Sequence, residues 1–257
     1  RVVLPQLLPK LIDAVRLSRS VGAVAQTSSD TVRDDATKRS KWIEGREQVV
    51  KRASRPQTIS ATALAAVAKE ESGQGQIPYR RGRGSTNLGR AVHSVLQTVD
   101  MESGDDLESI SRAQATVEGV AGRWEEIQGL ARNALDADAV RAAVASGRYF
   151  RELFVSAPIN DALIEGFIDL LFEDENGLTI VDYKTDDVDS AEDIDRALDK
   201  YGSQMGAYAY AVQQATGMSV RRAILLFLRP KREVVFDDIG PLISEAEERA
   251  SDLLKIG

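Results

Sequence analysis

Two apolar stretches, residues 162–173 and 178–184, are joined by Asp174-Glu175-Asn176-Gly177, and this arrangement restricts the possible folds more than any other feature of the chain. Asn-Gly between strand-like runs signals a hairpin, because both residues tolerate the positive φ of a tight turn. With the turn centred between Glu175 and Asn176 and no bulge at Gly177, Asp169 faces Asp182 directly. Alternation then puts Phe167, Asp169 and Leu171 on one face with Ile180, Asp182 and Lys184. Ile168, Leu170, Phe172, Val181 and Tyr183 take the other face.

Opposed side chains of a hairpin sit roughly 5 Å apart at Cβ, and like charges so placed repel. Apolar neighbours leave little solvent to screen the two aspartates. A divalent cation between them removes the conflict, and the amine of Lys184 points the same way. The residues alone describe a hard-metal site with no reaction attached to it. The competing reading is an ordinary hairpin with a surface Asp–Lys pair, since Asp-x-Lys by itself is a common tripeptide.

The rest of the chain places this hairpin in an α/β context. Residues 1–55 read as a helical connector, with apolar residues Leu8, Leu11, Val15 and Leu17 at helical spacing, a polar stretch over 26–40 and a further helix over 42–51. Ser60 caps a helix that begins at Ala61, and residues 88–99 form another whose apolar stripe is Leu88, Val92, Val95, Leu96 and Val99. His93 lies within that helix and can reach the aspartates from the side. Two or three helices fill 105–146, broken at Gly119, Gly122 and Gly147. A strand over 149–159 precedes the hairpin, and a long helix over 191–216 follows it and closes at Gly217. A strand over 220–228, a short edge strand over 233–236 and a helix over 241–254 complete the order. Gly202 and Gly206 predict close approach of the long helix to the sheet.

Composition limits the chemistry. The 257 residues contain no cysteine and a single histidine, so disulfides, thiolate zinc sites and cysteine-held iron–sulfur clusters are excluded. A metal must be held by oxygen ligands and His93, which favours Mg²⁺, Mn²⁺ or Ca²⁺. The lack of cysteine fits a reducing cytoplasm. No transmembrane run and no signal-peptide layout is present, and a start at Arg1 fits a piece of a longer polypeptide. The net charge of −7 argues against nucleic-acid binding through bulk electrostatics. One local basic patch, Arg80, Arg81 and Arg83, is either a DNA contact or a solvated loop.

Gly-Phe-Ile-Asp-Leu-Leu-Phe (166–172) and Ile-Val-Asp-Tyr-Lys-Thr (180–185) resemble the core motifs of RecB-type nucleases in the PD-(D/E)XK superfamily. More specifically, the chain resembles the C-terminal nuclease domain of AddA/RecB-like helicase–nucleases of the UvrD/Rep group. Four further segments follow in the family's order: Ser-Ala-Thr-Ala-Leu (60–64) at the start of the domain, Leu-Gly-Arg-Ala-Val-His (88–93), Arg-Glu-Leu-Phe (151–154), and Tyr201-Gly-Ser-Gln204 with Tyr208. The likeness covers about residues 56–240. It implies a restriction-endonuclease-like core, a mixed central sheet flanked by helices, over 56–257.

By position, the resemblance assigns metal binding to His93, Asp169, Asp182 and the backbone carbonyl of Tyr183, with Mg²⁺ or Mn²⁺ as the ion. Lys184 becomes the catalytic lysine, and Gln204 supports the site. Tyr201 contacts DNA or packs nearby, and Tyr208 reads as core. Glu152 either stands behind the ligands or pairs with Arg148 or Arg151. The implied activity is metal-dependent DNA hydrolysis, exonucleolytic, in break repair and recombination. The implied partners are a single-stranded DNA end, an upstream helicase motor in the same polypeptide and a second helicase–nuclease subunit. The chain departs from the family in two respects. Relatives with an iron–sulfur cluster are excluded, and no Gly-x-x-x-x-Gly-Lys-[Ser/Thr] loop is present, so no nucleotide site of that kind is expected. Two other functions are open: a non-catalytic DNA-guiding or docking module, and a metal-stabilised structural domain.

Overall fold

A computed structural model describes residues 57–67, 86–160, 162–186, 188 and 190–256. The chain divides into two units, residues 1–51 and 52–257, and everything described belongs to the second. The helices expected in the connector and the patch at Arg80, Arg81 and Arg83 lie outside the described residues.

A six-stranded mixed sheet is built from β1 (Gln57–Ser60), β2 (Tyr149–Ile159), β3 (Ala162–Asp174), β4 (Gly177–Lys184), β5 (Val220–Phe227) and β6 (Arg232–Phe236). The long strand β3 organises it. Antiparallel β2 runs along β3 from Ile159↔Ala162 to Tyr149↔Phe172. Parallel β1 pairs with its first residues, Ala162 to Glu165, and antiparallel β4 with its last, Leu170 to Asp174. Residues 166–169 of β3 therefore fall in the gap between β1 and β4. The β3–β4 register, Leu170↔Val181 through Asp174↔Gly177, is the one the turn predicts, with no bulge at Gly177. Strand β1 has no counterpart in the sequence reading, which begins the domain at the Ser60 cap; that cap is present, with Ala63 N–H donating to Ser60 Oγ at 3.0 Å.

Helices α1 (Ala61–Val67), α6 (Ala191–Thr216) and α7 (Gly240–Ile256) contribute to one apolar layer. There Leu64, Met205, Val212 and Ala246 meet Ile164, Ile180, Leu225 and Phe227 of the sheet. Helices α2 (Asn87–Thr98), α3 (Leu107–Val117), α4 (Trp124–Leu135) and α5 (Asp138–Ser146) contribute to the other. There Val92, Leu96, Ile127 and Val140 meet Leu170, Phe172, Val181, Tyr183, Ile224 and Leu226. Cover on both faces explains why β4 and β5 are almost continuously apolar. Each buried Leu, Ile or Phe contributes roughly 1.5–3 kcal/mol, so truncating Leu225 to Ala would cost about 2–5 kcal/mol. No helix among the described residues is long and apolar enough to cross a membrane.

Helix α6 starts at a capping box, in which Ser190 Oγ accepts from Asp193 N–H and Asp193 Oδ2 accepts from Ser190 N–H. It ends at Gly217, whose φ of 70° suits a residue without Cβ. Its inner glycines serve helix packing rather than the sheet approach expected from the sequence: a Cβ on Gly206 would collide with the backbone carbonyl of Leu242 on α7. The close approach at the sheet is made by Gly166, where a Cβ would lie 2.6 Å from the Tyr208 ring.

One further departure shapes the site. Strict alternation places Ile168 with Leu170 and Phe172, yet Ile168 packs in the α6 layer while Leu170 and Phe172 pack in the α2 layer. Strand β2 does the same: Tyr149 packs with the α2 layer, whereas Leu153, Val155 and Ala157 pack with the α6 layer. The two strands keep their register through this region, so the ribbon turns over at the opposed positions Glu152 and Asp169. Glu152 carries the turn in its backbone, at φ 49°, a conformation that costs a side-chain-bearing residue roughly 1–2 kcal/mol.

Candidate active site

Asp169 enters from β3 in the gap between β1 and β4, with only 7% of its surface exposed. Its Oδ2 accepts the N–H of Tyr183 at 2.7 Å, taking the place of a strand–strand bond. Its Oδ1 lies 2.8 Å from His93 Nδ1. The stripe of α2 positions that imidazole: Val92, Val95 and Leu96 are fully or nearly fully buried, so His93 turns toward the sheet, with its ring edge-on to Tyr183 at 6.1 Å. Burial pulls the His93 pKa down, but Asp169, aided by Asp182 and Glu152, more than offsets this and raises it to about 8.

Among the described residues, one set of possible ligand atoms gathers within 4.8 Å: His93, Glu152 and Asp169. Glu152 thus stands with the candidate ligands themselves, closer in than a supporting role requires. Of its expected partners, Arg148 pairs with Glu173 at 2.7 Å and Arg151 donates to the carbonyls of Leu96 and Val99. Asp182 falls outside that set, facing α6 from β4. It is 3% exposed. Its Oδ2 meets the Lys184 ammonium at 2.6 Å but accepts no hydrogen bond. Burial raises the Asp182 pKa against the pull of Lys184, and the charge of Asp169 adds to the rise.

Lys184 is held on three sides. Asp182 is the first contact, Gln204 Oε1 accepts from its Nζ at 2.9 Å, and the ring of Tyr201 lies 3.7 Å beneath it. Gln204 is fixed in turn by donating Nε2 to Tyr208 OH at 2.9 Å. Tyr201 donates its hydroxyl to Asp186 Oδ2 at 2.9 Å and receives Lys200. Burial, with Asp186 next, raises the Tyr201 pKa. Tyr208 is 2% exposed, a core residue that also anchors Gln204.

The donor set suits a hard divalent cation: one imidazole and carboxylates, with no thiolate. The buried Asp182 oxygen that accepts no hydrogen bond, and the Asp169 carboxylate whose only rival for an ion is the proton shared with His93, both leave ligand capacity for it.

Comparison with known proteins agrees with this geometry. The family model for the PD-(D/E)XK nuclease superfamily matches residues 53–254. The A subunit of an ATP-dependent helicase/nuclease from Desulforudis audaxviator is 30% identical over 210 residues, covering 66% of this chain and 17% of that protein. Its counterpart from Carboxydothermus hydrogenoformans is 40% identical over 72 residues, covering 28% of this chain and 6% of that protein. The chain thus spans less than a fifth of the length of these relatives. Proteins of this superfamily are nucleases that use divalent metals. On the match over almost its whole length, the chain belongs to the PD-(D/E)XK nuclease superfamily.

Proposed function

We propose that residues 56–257 are a DNA nuclease domain that hydrolyses phosphodiester bonds with Mg²⁺ or Mn²⁺, and that residues 1–55 connect it to an upstream helicase motor of the UvrD/Rep type. The observation that carries this reading is the pairing of two groups on one hairpin. His93, Glu152 and Asp169 bring their ligand atoms within 4.8 Å, while Lys184 is held at Asp182 by Gln204 and Tyr201.

His93, Glu152, Asp169 and Asp182, with the Tyr183 carbonyl, would hold the ion. The cation supplies Lewis acidity toward a phosphoryl oxygen and acidifies water when bound. Asp169 also orients the imidazole and fixes the Tyr183 backbone, so the ligands are set before substrate arrives. Lys184 places a positive charge where the attacked phosphate gains negative charge. Gln204 and the Tyr201 ring hold that ammonium still. The relatives are named as ATP-dependent helicase/nucleases. That name supports a role beside a helicase, in break repair and recombination, with exonucleolytic attack on a single-stranded end and a second helicase–nuclease chain for a partner.

The test is cleavage of single-stranded DNA by the purified chain in Mg²⁺ or Mn²⁺. Asp182→Ala and Lys184→Ala are expected to lose it. Equal cleavage by these variants and the parent would defeat the assignment.

A further inference from the structure

Phe154 and Phe167 are cross-strand partners on β2 and β3. They are 52% and 37% exposed, and their rings lie 5.2 Å apart at the centroids with planes inclined by 57°. This exposure follows from the reversal of the ribbon. Had the facing of Tyr149 and Leu171 continued unbroken, both rings would lie beneath α6. The turnover at Glu152 and Asp169 brings Leu153 and Ile168 into that layer instead and turns the phenylalanines outward.

The rings also stand beside the ligand cluster. Phe154 is two residues from Glu152 and Phe167 two from Asp169, which at the rise of a strand is about 7 Å along the ribbon. One nucleotide spans such a distance. The chain carries a net charge of −7 and so cannot draw a polyanion through bulk charge. Affinity at the site needs contacts indifferent to charge, and the stacking of a base on an aromatic face is such a contact. Bases of a duplex are already stacked on one another, so an exposed ring pair can take only a strand whose bases are free.

We propose that Phe154 and Phe167 form a stacking ledge for the bases of single-stranded DNA beside the metal cluster. The proposal rests on the nuclease reading and gives that site a substrate selection of its own: an unpaired strand, held through its bases without regard to sequence.

The experiment measures binding of the full chain, with Ca²⁺ present, to a short fluorescent oligothymidylate and to an abasic strand of the same length and charge. The parent is expected to prefer the strand with bases by about tenfold or more. Phe154→Ala with Phe167→Ala is expected to bind both strands alike, and Phe154→Trp with Phe167→Tyr to keep the preference. Thermal melts of each variant establish that the loss is not one of folding, and the aromatic replacements carry the test if the alanine pair fails to fold. Equal binding of the two strands by the parent, or a preference that survives in the alanine pair, overturns the ledge and assigns the rings to protein contact. Metal-dependent cleavage lost in Asp182→Ala would still stand in that case. Base preference without any cleavage by the parent would retain the ledge and defeat the nuclease reading.

Discussion

His93 Nδ1 and Asp169 Oδ1 are 2.8 Å apart, and a proton bridges them in the metal-free protein. With the imidazole pKa raised from 6.5 to about 8, its contribution to stability is complete below pH 6.5 and lost as pH rises through about 8. The Asp182 carboxyl, raised by burial, acts in the same direction, because its charged form is the one the fold disfavours. The melting temperature in EDTA should therefore fall as pH rises across that window, by a stability change on the order of 2 kcal/mol from His93. Mg²⁺ or Mn²⁺ should restore it most at the alkaline end, where no proton competes for the ligand. A flat metal-free profile, or one unchanged in His93→Gln, would contradict this.

Gln204 joins Lys184 to Tyr208. Gln204→Leu keeps the volume and removes both bonds, freeing the ammonium to wander. Turnover of single-stranded DNA should drop by about 10²-fold, with little change in the affinity for metal measured by calorimetry. A loss of metal affinity equal to the loss of turnover would place Gln204 among the ligands instead.

Tyr201 acts on Lys184 through its ring, and on Asp186 through its hydroxyl. Tyr201→Phe keeps the first and loses the second, whereas Tyr201→Leu loses both. A cation–π contact contributes about 0.5–2 kcal/mol. Turnover is thus expected to survive largely in the phenylalanine variant and to fall roughly three- to thirtyfold in the leucine variant. Equal losses in both would show that the Asp186 bond, not the ring, is what matters.

Glu152 combines a candidate ligand with a strained backbone, at φ 49°. Glu152→Gly relieves roughly 1–2 kcal/mol of backbone strain against an entropic cost of about 0.5–1 kcal/mol. The metal-free protein should melt at the parental temperature or slightly above. Glu152→Gln keeps the strain and should melt no higher than the parent. Both should bind Mn²⁺ more weakly. If Glu152→Gly melts well below the parent, the side chain supports the fold rather than the ion.

Gly206 on α6 abuts the Leu242 carbonyl on α7. Gly206→Ala forces two helices apart and should cost about 3 kcal/mol, at the upper end of overpacking penalties, seen as a lower urea midpoint. Gly129, with open space around its Cβ position, is the control: Gly129→Ala lies within a helix and should be neutral or mildly stabilising.

Much of the site is legible in the chain because the informative features are local. Asn176-Gly177 sets the turn, the turn sets Leu170 opposite Val181, and the spacing of Val92, Val95 and Leu96 aims His93 inward. Gln204 and Tyr201 follow from helical spacing. Glu152 is harder to place, because a glutamate in a left-handed conformation leaves no mark in sequence; its φ is imposed by the two layers competing for Leu153 and Tyr149. The misplacement of Ile168 and Phe167 has the same origin, since alternation assumes a ribbon that never turns over. The approach of Gly206 to α7 instead of the sheet depends on a helix distant in sequence, and no local pattern encodes such a contact.

A ribbon that feeds side chains to both layers cannot relax in one of them alone. Straightening Glu152 would withdraw either Ile168 from beneath α6 or Leu170 from beneath α2, so the awkward backbone angle is secured by two cores at once. The carboxylates at that crossing are thereby placed by the bulk of the protein rather than by their immediate neighbours, which lets them lie close together before any ion arrives to reconcile them.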